Sequence, residues 1–450
     1  MVPTVTWTFE RRLLGASVVG WAVVAAMNLA AGPPLGHDEA AFAIVAQGDP
    51  LELLYRSRGV TALARIGLAL GGAEWQLRLA SAVLGVSVVL AVFAIARAAF
   101  DARTGAWAAA VITGAHPMLH RSAELLGDLP ATAGILAGMA ALAGELSRPG
   151  GPRWRIVLAA PAFAVAFYMR YGSAPVIAVA AVAALALWWR AIWMRPWPVV
   201  VMAVVFAVLL VPHGLHSLRA TGTLLGVLRW SSGVPRREYW GEGLVTYVTS
   251  NPFMYYGALV APVMIAGLFG LARTFRSRAP WYLASVAVGQ LFTIGIASHG
   301  QPRYVFVTVS LLVVLGVATL RAVVLAHGRL ALTAVGLAWL AVAITAIPLA
   351  LTISRSRETI MAAAATIRGH LSGARCVVVA RQAPQLRWYT HCWVVIPPSF
   401  EPDYFRPEYD RYVVSTPYGV LDAATFAAPV GATAIELPTG NRDAHVWTIR

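Results

Sequence analysis

Apolar runs of about 18 residues or more recur along most of the chain, and each is long enough to cross a bilayer as a helix. A backbone in lipid must satisfy its own hydrogen bonds, and only helices and closed barrels do so. These runs are continuous, whereas a barrel strand alternates apolar and polar residues. With 59% hydrophobic and 12% charged residues, the chain is predicted to be an α-helical polytopic membrane protein.

Hydropathy predicts about eleven transmembrane helices. The division between the fifth and the sixth rests on Arg170, Tyr171 and Gly172. The first run follows Arg11 and Arg12 and ends in small residues, like a signal peptide, but an uncleaved first helix is favoured because many spans follow. The predicted spans are approximately 13–32, 77–97, 104–119, 129–146, 156–171, 173–190, 197–213, 256–273, 281–298, 303–321 and 330–353.

The charge pattern predicts the orientation of the chain. All 35 basic residues are arginine and the net charge is +15, but the arginines are spread thinly between spans, so they are interpreted as topology signals and no nucleic-acid partner is predicted. The arginine bias places the N-terminus in the cytoplasm. The absence of lysine and the abundance of alanine, valine and leucine are typical of a GC-rich bacterial genome, so we expect a bacterial plasma (inner) membrane. The outer face then receives residues 33–76, 120–128, 214–255, 299–302 and the C-terminal tail.

The hydrophobic pattern changes from about Ser354. A helix is predicted at RETIMAAAATIRGHL and a shorter one at PQLRWY, with strands at CVVVA, WVVIP, YVVST and HVWTI. Residues 354–450 are therefore predicted to form a small extracytoplasmic α/β domain after a transmembrane domain at 1–353, whose residues 38–70 suit short helices on the outer membrane surface. Cys376 and Cys392 could form a disulfide there or could be buried hydrophobic residues.

Acidic side chains collect at the outer ends of the spans. Asp38 and Glu39 follow the first span within HDEAAF, and Asp128 precedes the fourth. Carboxylates at a bilayer edge are costly to keep, so they tend to be functional. The alternative is that Asp38 and Asp128 each cap a helix, which is a common use of aspartate. Chemistry, if present, is expected on the outer face.

Three segments resemble the polyprenyl-phosphate-sugar-dependent membrane glycosyltransferases of the C superfamily, which include protein O-mannosyltransferases and lipid A aminoarabinose transferases. They are HDEAAF, HPMLHRSAELLGDLPATAGILAG (116–138) and ASHGQPRYVFVTVSLL (297–312). The resemblance covers most of the membrane part in layout, and its motifs comprise only these segments. It implies sugar transfer from a polyprenyl-phosphate donor to a cell-envelope acceptor on the outer face. Nothing in the C-terminal domain contributes to it.

The resemblance aligns the first acidic motif of these enzymes with Asp38 and Glu39, and the second acidic position with Asp128. Glycosylating a hydroxyl requires a base that removes its proton, and Asp38 is the predicted general base. The leaving lipid phosphate has a low pKa and needs no acid, unlike the leaving group in glycoside hydrolysis. Direct attack inverts the configuration of the sugar. Asp128 could steer the acceptor or help to bind a metal.

The donor phosphate requires cations, and a guanidinium can clamp two phosphate oxygens. The resemblance assigns Arg303 to this task, within a QPRY segment that also supplies Tyr304 and follows His299. Other candidate substrate-binding residues are Arg170, Arg229 and Arg237. The alternative for Arg237 and the neighbouring Arg236 is that they anchor the chain to lipid headgroups at the membrane interface.

Histidine and carboxylate side chains recur every four residues at His116, His120, Glu124 and Asp128, and would share one face of a continuous helix, with His37 in reach. Such a set can bind a divalent cation, so His37, His120 and Glu124 are candidate metal ligands. Pro117 and Gly127 interrupt the segment, which argues against a continuous helix.

Two other classes of protein share some of these features. A transporter or flippase of a lipid-linked or envelope substrate is expected to carry charges at mid-membrane and related halves, neither of which is found here. The second class is a non-catalytic membrane scaffold with an outer binding domain. The predicted partners are the lipid-linked sugar donor, membrane lipids and an acceptor that could be lipid, glycan or protein. By analogy the sugar is mannose or arabinose-like.

Overall fold

A computed structural model describes residues 8–48, 56–233, 238–273, 276–372, 375–397, 399–406, 408–417 and 419–450. Helices dominate this part of the chain, as the composition predicts. They are α1 Thr8–Ala31, α2 His37–Ala46, α3 Arg58–Ala69, α4 Glu74–Gly85, α5 Ser87–Ala99, α6 Ala102–Ile112, α7 His116–His120, α8 Asp128–Leu146, α9 Ala159–Met169, α10 Ser173–Met194, α11 Pro196–Thr221, α12 Gly226–Gly233, α13 Glu242–Thr249, α14 Pro252–Tyr256, α15 Val260–Arg273, α16 Arg278–Ala297, α17 Phe306–Ala326, α18 Gly328–His370, α19 Ala383–Thr390 and α20 Ala423–Ala427.

The predicted membrane fold class is confirmed, but the number of long apolar helices is lower than eleven. Within the described residues, eight helical segments are long and apolar enough to cross a membrane. Three predicted spans are shorter: 156–171 lies in the helical segment Trp154–Met169, 256–273 becomes α15, and 104–119 is divided between α6 and α7. Proline and glycine explain the two clearest interruptions, since Pro117 stands in the first turn of α7 and Gly257, with φ +108°, precedes α15.

Contacts divide the chain into two compact units. The first comprises Met1–Leu29, Leu54–Leu63 and Arg78–Ala346, and the second comprises Ala30–Leu53, Ala64–Leu77 and Ile347–Arg450. The segment 38–70, where short helices are predicted, contains α2 and α3, and their location on the outer membrane surface stays a prediction. The boundary predicted between 353 and 354 lies inside α18, because the last span continues without a break into the helix predicted from Arg357.

Glycine allows two helices of the first unit, α15 and α17, to pack closely. A Cβ on Gly267 of α15 would lie 2.6 Å from the carbonyl oxygen of Leu312 in α17, and one on Gly316 would collide with the carbonyl of Val263. Lipid provides no hydrophobic drive to bring helices together, so close backbone packing through small residues provides much of their association.

The C-terminal part of the second unit is a five-stranded sheet with helices, as the sequence predicts. Strands β1 (Cys376–Val379), β2 (Trp393–Val395), β3 (Asp410–Ser415), β4 (Ala434–Leu437) and β5 (His445–Ile449) lie in the order β2-β1-β3-β5-β4. Strand β1 pairs in parallel with β2 and β3, whereas β5 pairs antiparallel with β3 and β4. The sequence analysis missed β4, an edge strand with exposed Ile435 and Glu436, which lacks the buried apolar run of the central strands.

The two cysteines form a disulfide that joins the start of β1 to the residue before β2, which settles the alternatives left open by the sequence. Their sequence separation is 16 residues, and a loop of this length is worth about 3 kcal/mol of unfolding free energy. We expect the Cys376→Ser, Cys392→Ser double variant to unfold at a lower temperature than the wild type. Scanning fluorimetry with and without a reductant tests this: reductant should lower the midpoint of the wild type alone, and equal midpoints would contradict it.

Candidate active site

The HDEAAF motif forms the first turns of α2 in the second unit. The helix begins at His37, Gly36 is its N-cap, and Asp38 is its second residue. Asp38 therefore is not the N-cap that the alternative interpretation required. The N-terminus of a helix carries a partial positive charge, which favours a carboxylate in the first turn. Asp38 is half-buried and Glu39 is buried.

The carboxylate of Glu39 braces this turn. Its Oε2 accepts a hydrogen bond from the backbone N–H of Gly36 at 2.7 Å and lies 3.6 Å from Nη1 of Arg357 in α18. The same guanidinium nitrogen donates to the carbonyl oxygen of Pro34. Because Glu39 is only 2% exposed, its charge depends on these partners. These contacts hold the turn that carries Asp38.

Helix α19 holds the segment before the motif from another side. The backbone N–H of Leu35 donates to the hydroxyl of Tyr389 at 2.7 Å, and that hydroxyl donates to Oε1 of Glu74 at 2.6 Å. Gln385 Nε2 donates to the carbonyl oxygen of Leu35 at 3.4 Å. These contacts join residues more than 300 positions apart, so sequence reasoning missed Arg357, Tyr389 and Gln385 as supports of the motif.

The first unit brings together three other predicted site residues. Asp128 is the first residue of α8 and is 7% exposed. Its carboxylate forms an ion pair with Arg170, which follows α9, and lies 4.0 Å from Nη1 of Arg303. Two guanidinium groups and one carboxylate leave a net charge of +1 among these three side chains. The aspartate thus orients cations, which capping of the helix alone would not require.

A close backbone approach places Asp128 beside Arg170. A Cβ on Gly127 would collide with the carbonyl oxygen of Met169, the residue before Arg170, and would lie 2.8 Å from Val60. Only glycine leaves room for the start of α8 to pass the end of α9 at this distance.

We expect Gly127→Ala to destabilise the protein by about 1–3 kcal/mol, because the added methyl group must push these two helix ends apart. Gly144→Ala, inside α8, is the control: its Cβ would meet only Ala98, at 3.7 Å, and alanine favours a helix. Thermal unfolding of the purified variants should separate the two, with a lower midpoint for Gly127→Ala and an unchanged or higher one for Gly144→Ala. The prediction is wrong if both midpoints match the wild type.

Tyr304 packs against both arginines. The guanidinium carbon of Arg170 lies 4.3 Å from its ring centroid and that of Arg303 lies 5.4 Å away, within the range of cation–π contacts. Arg303 Nε also donates to Oε1 of Gln301 at 2.6 Å. The positions of the two cations are therefore fixed before any ligand arrives.

The loop before Arg303 is held by tyrosines. Tyr247 donates from its hydroxyl to the carbonyl oxygen of Gln301 at 3.3 Å, and Tyr255 donates to that of Gly300. Burial raises the pKa of Tyr247 to about 12, so its phenol keeps its proton and can donate even in alkaline solution. His299 packs edge-on against Tyr304, and its buried Nδ1 has no hydrogen-bond partner among the described residues.

Sequence reasoning missed Arg78, which is one of the largest fully buried side chains of the described residues. It lies on α4, three residues before Ser81, whose hydroxyl donates to the carbonyl oxygen of Leu126 at 2.8 Å. Residues three apart share a helix face, so Arg78 lies on the face of α4 that packs towards the segment leading into Asp128. Its sequence signal was weak, because an arginine near the start of a span resembles a topology marker.

The structure contradicts the continuous helix on which the metal hypothesis was based. Helix α7 ends at His120, a 3₁₀ turn follows, and Glu124 has an extended backbone. The carboxylate of Glu124 instead pairs with Arg121 at 2.7 Å. Among the described residues no group of three histidine, cysteine or acidic side chains is placed to hold a metal ion, so His37, His120 and Glu124 do not form the predicted set.

The remaining arginines predicted to bind substrate give less information. Arg229 lies in α12 and is exposed. Arg237, with the neighbouring Arg236, falls outside the described residues. Both assignments stay predictions.

Comparisons with known proteins agree with this architecture. Residues 58–216 match the family model described as dolichyl-phosphate-mannose-protein mannosyltransferase. Two crystal structures of ArnT from Cupriavidus metallidurans, one bound to undecaprenyl phosphate and one in the apo state, are similar over 98% of both chains, at 17% identity and TM-scores of 0.69 and 0.68. The fold of this chain is therefore similar to that of ArnT.

A second solved protein has the same fold. The archaeal oligosaccharyltransferase AglB from Archaeoglobus fulgidus, in complex with an inhibitory peptide and a dolichol-phosphate, matches 91% of this chain and 70% of its own, at 13% identity and a TM-score of 0.55. No curated protein sequence matches the chain. The family model covers the second of the three motif segments, and the fold shared with ArnT agrees with the resemblance to the C superfamily.

Proposed function

We propose that this protein is a membrane glycosyltransferase that moves a sugar from a polyprenyl-phosphate donor to a cell-envelope acceptor on the outer face. The cluster of Asp128, Arg170, Arg303 and Tyr304 carries the proposal, because it presents oriented guanidinium groups of net charge +1. Two comparisons support a lipid phosphate as the ligand. One ArnT structure has undecaprenyl phosphate bound, and the matched family model is described as dolichyl-phosphate-mannose-protein mannosyltransferase.

The charge of the cluster suits both the donor and the leaving group. A polyprenyl-phosphate sugar is a phosphodiester with one negative charge. When the bond between the sugar C1 and the phosphate oxygen breaks, the phosphate gains a second negative charge. Arg303 and Arg170 then stabilise that developing charge, and donors held in place before the reaction are worth more than mobile ones. Arg78 is a further cation on the helix face near Asp128.

Asp38 is the proposed general base. The acceptor hydroxyl loses its proton to the Asp38 carboxylate as its oxygen bonds to C1, and the lipid phosphate leaves from the opposite face with the bonding electrons. The product sugar has inverted configuration. Glu39 and Arg357 hold the turn that carries Asp38, so the Asp38 carboxylate is already in position before the reaction begins.

The proposed location is the plasma membrane of a bacterium, with the N-terminus in the cytoplasm and the C-terminal domain outside. The Cys376–Cys392 disulfide supports an oxidising compartment for that domain. The proposed sugar is mannose or an arabinose-like pentose, and the acceptor is a lipid, a glycan or a protein of the envelope. Binding of membrane lipids follows from the long apolar helices.

A transfer assay tests the proposal. Purified protein in detergent is incubated with a panel of radiolabelled polyprenyl-phosphate sugars and an extract of envelope material, and the label is followed from the donor into an acceptor fraction. We expect one donor to be consumed with stoichiometric release of polyprenyl phosphate. Turnover of no donor, together with vesicle assays in which the protein moves an intact lipid-linked sugar across the bilayer, would instead support the flippase alternative.

Arg357 is expected to act through the position of the HDEAAF turn. Removing its guanidinium leaves the buried Glu39 carboxylate without this partner, a loss worth several kcal/mol in comparable buried pairs. We expect Arg357→Ala to lower kcat while the donor KM changes little, and Arg357→Lys to recover part of the rate. Arg355→Ala, at an exposed position of the same helix, is the control and should retain full activity. An unchanged kcat in Arg357→Ala would contradict the positioning role.

A further inference from the structure

A polar pocket of about 370 Å³ lies within the second unit, apart from the HDEAAF turn. This volume is at the lower end of the range for small-molecule sites. Four elements contribute to it: the end of α2, the turn between α3 and α4, the last turns of α18, and the end of α19. Its lining residues are Gln47, Leu68, Gly71, Gly72, Arg368, Trp388, Tyr389 and His391.

The side chains of this pocket suit a charged sugar. Trp388 offers an aromatic face on which the apolar face of a sugar ring can pack. Gln47 offers both a hydrogen-bond donor and an acceptor, as sugar hydroxyls require. Arg368 is the one lining residue that carries a full charge at neutral pH, and within the described part of the chain no carboxylate pairs with it. The charge of the lining therefore favours an anionic ligand.

The walls of the pocket are fixed before a ligand binds. Gly71 and Gly72 have φ values of +125° and +77°, which keep this turn free of side chains. The side-chain amide of Gln76 accepts from the N–H of Ala73 at 2.8 Å and donates to the carbonyl of Leu70 at 2.5 Å, and these bonds lock the turn. A rigid, open wall allows a sugar ring to approach without an entropic cost of loop ordering.

The part of the lining that α19 contributes is also constrained. The hydroxyl of Tyr389 is already engaged by Leu35 and Glu74, so its ring has a fixed orientation. His391 ends α19 with a φ of +59°, the one positive value among the described residues other than glycine. Such a backbone costs a side-chain-bearing residue free energy, and it is a common conformation for the residue that follows a helix.

The pocket has a defined position relative to the proposed base. Asp38 is the second residue of α2, and Gln47 directly follows the last one. At 1.5 Å per residue, the helix separates these two residues by about 14 Å. A single sugar ring does not reach across that distance. A ligand that occupies the pocket while presenting a hydroxyl to Asp38 must therefore be an extended molecule.

We propose that this pocket binds an anionic sugar of the acceptor, one ring or more away from the hydroxyl that receives the new sugar. The negative charge is carried by a carboxylate, as in a uronic acid, or by a phosphate on the ring. This inference rests on the proposed function, which requires an acceptor, and it adds the chemical class of that acceptor. It also gives the C-terminal domain a part in substrate recognition, through Arg368 and Trp388.

Direct binding tests the pocket without any donor. The full-length protein in lipid nanodiscs is titrated with methyl β-glucuronide, glucose 6-phosphate and methyl β-glucoside, and saturation-transfer NMR gives each Kd. We expect at least one of the two anionic probes to bind about tenfold more tightly than the neutral one. A gain in affinity of this size is what one hydrogen bond between charged groups provides. Whichever anionic probe binds more tightly identifies carboxylate or phosphate as the preferred charge.

Variants then assign the binding to this pocket. Arg368→Gln should remove the anionic preference, and Trp388→Ala should weaken all three probes. Arg442→Gln, at a position whose side chain is 94% exposed in the same unit, should change nothing. Equal binding of neutral and anionic probes by the wild type, or an unaltered preference in Arg368→Gln, would overturn the proposal. A protein that binds the probes but transfers no sugar would contradict the proposed function alone.

Discussion

Asp38→Asn is expected to lower the rate of sugar transfer by roughly 10²- to 10⁴-fold, the usual contribution of a positioned general base. Asparagine has nearly the same shape as aspartate and can occupy the same place in the first turn of α2, but its amide cannot accept the acceptor proton. Donor binding should be unchanged, because the proposed phosphate ligands, Arg170 and Arg303, are untouched. The measurement is the single-turnover rate with saturating donor, alongside a binding assay for the donor.

Two controls separate the loss of a base from a disturbed turn. Glu39→Gln keeps Asp38 and should act mainly through stability, because Glu39 accepts from Gly36 and pairs with Arg357. An acceptor analogue with a more acidic nucleophile, such as a thiol, needs less help in losing its proton. It should therefore recover much of the rate in Asp38→Asn and little in Glu39→Gln. Full activity of Asp38→Asn on the ordinary acceptor would remove the proposed base.

The sequence allowed the fold class to be predicted because lipid imposes a simple rule. A chain with many apolar runs must form helices, and the change of pattern near Ser354 predicted the small sheet domain. Helix lengths were harder to predict. Hydropathy averages over a window, so it does not register a break such as that between Ile112 and His116 or the shortened start of α15 at Val260. The same averaging divided α18 at 353, where the backbone is continuous.

The residues of the arginine cluster could be predicted only through the resemblance. Motif positions pointed to Asp128, Arg303 and Tyr304, but nothing in the sequence showed that Arg170 would pair with Asp128. That pairing depends on the absence of a side chain at Gly127.

The supports of the HDEAAF turn were out of reach for a different reason. Arg357, Gln385 and Tyr389 contact the residues just before it, Pro34 and Leu35, from more than 300 residues away. Each looks like an ordinary polar position of a helix. The regular spacing of His116, His120 and Glu124 had a different effect: it suggested a shared helix face that the structure does not form. A four-residue period matters only on an unbroken helix, and the 3₁₀ turn after His120 breaks it.

Arg303→Ala is expected to reduce kcat/KM for the donor by roughly 10²- to 10³-fold, the cost of removing one oriented donor from a site of developing negative charge. Part of the loss is in donor affinity and part in kcat, since the phosphate gains charge as the sugar leaves. Arg303→Lys keeps the charge but loses the planar fork and its contact with Tyr304, so it should recover only a fraction.

Tyr304 provides the matched test of how the cations are held. Tyr304→Phe keeps the ring over which Arg170 lies at 4.3 Å and Arg303 at 5.4 Å, and should retain most of the activity. Tyr304→Ala removes that ring and should lose about tenfold, because a cation–π contact in a desolvated site is worth about 1–2 kcal/mol. Donor affinity and kcat are measured for the whole series, with the release of polyprenyl phosphate as the readout. If Arg303→Ala bound the donor and turned it over like the wild type, the cluster around Asp128 would be a structural ion-pair network, and the donor phosphate would have to be bound elsewhere.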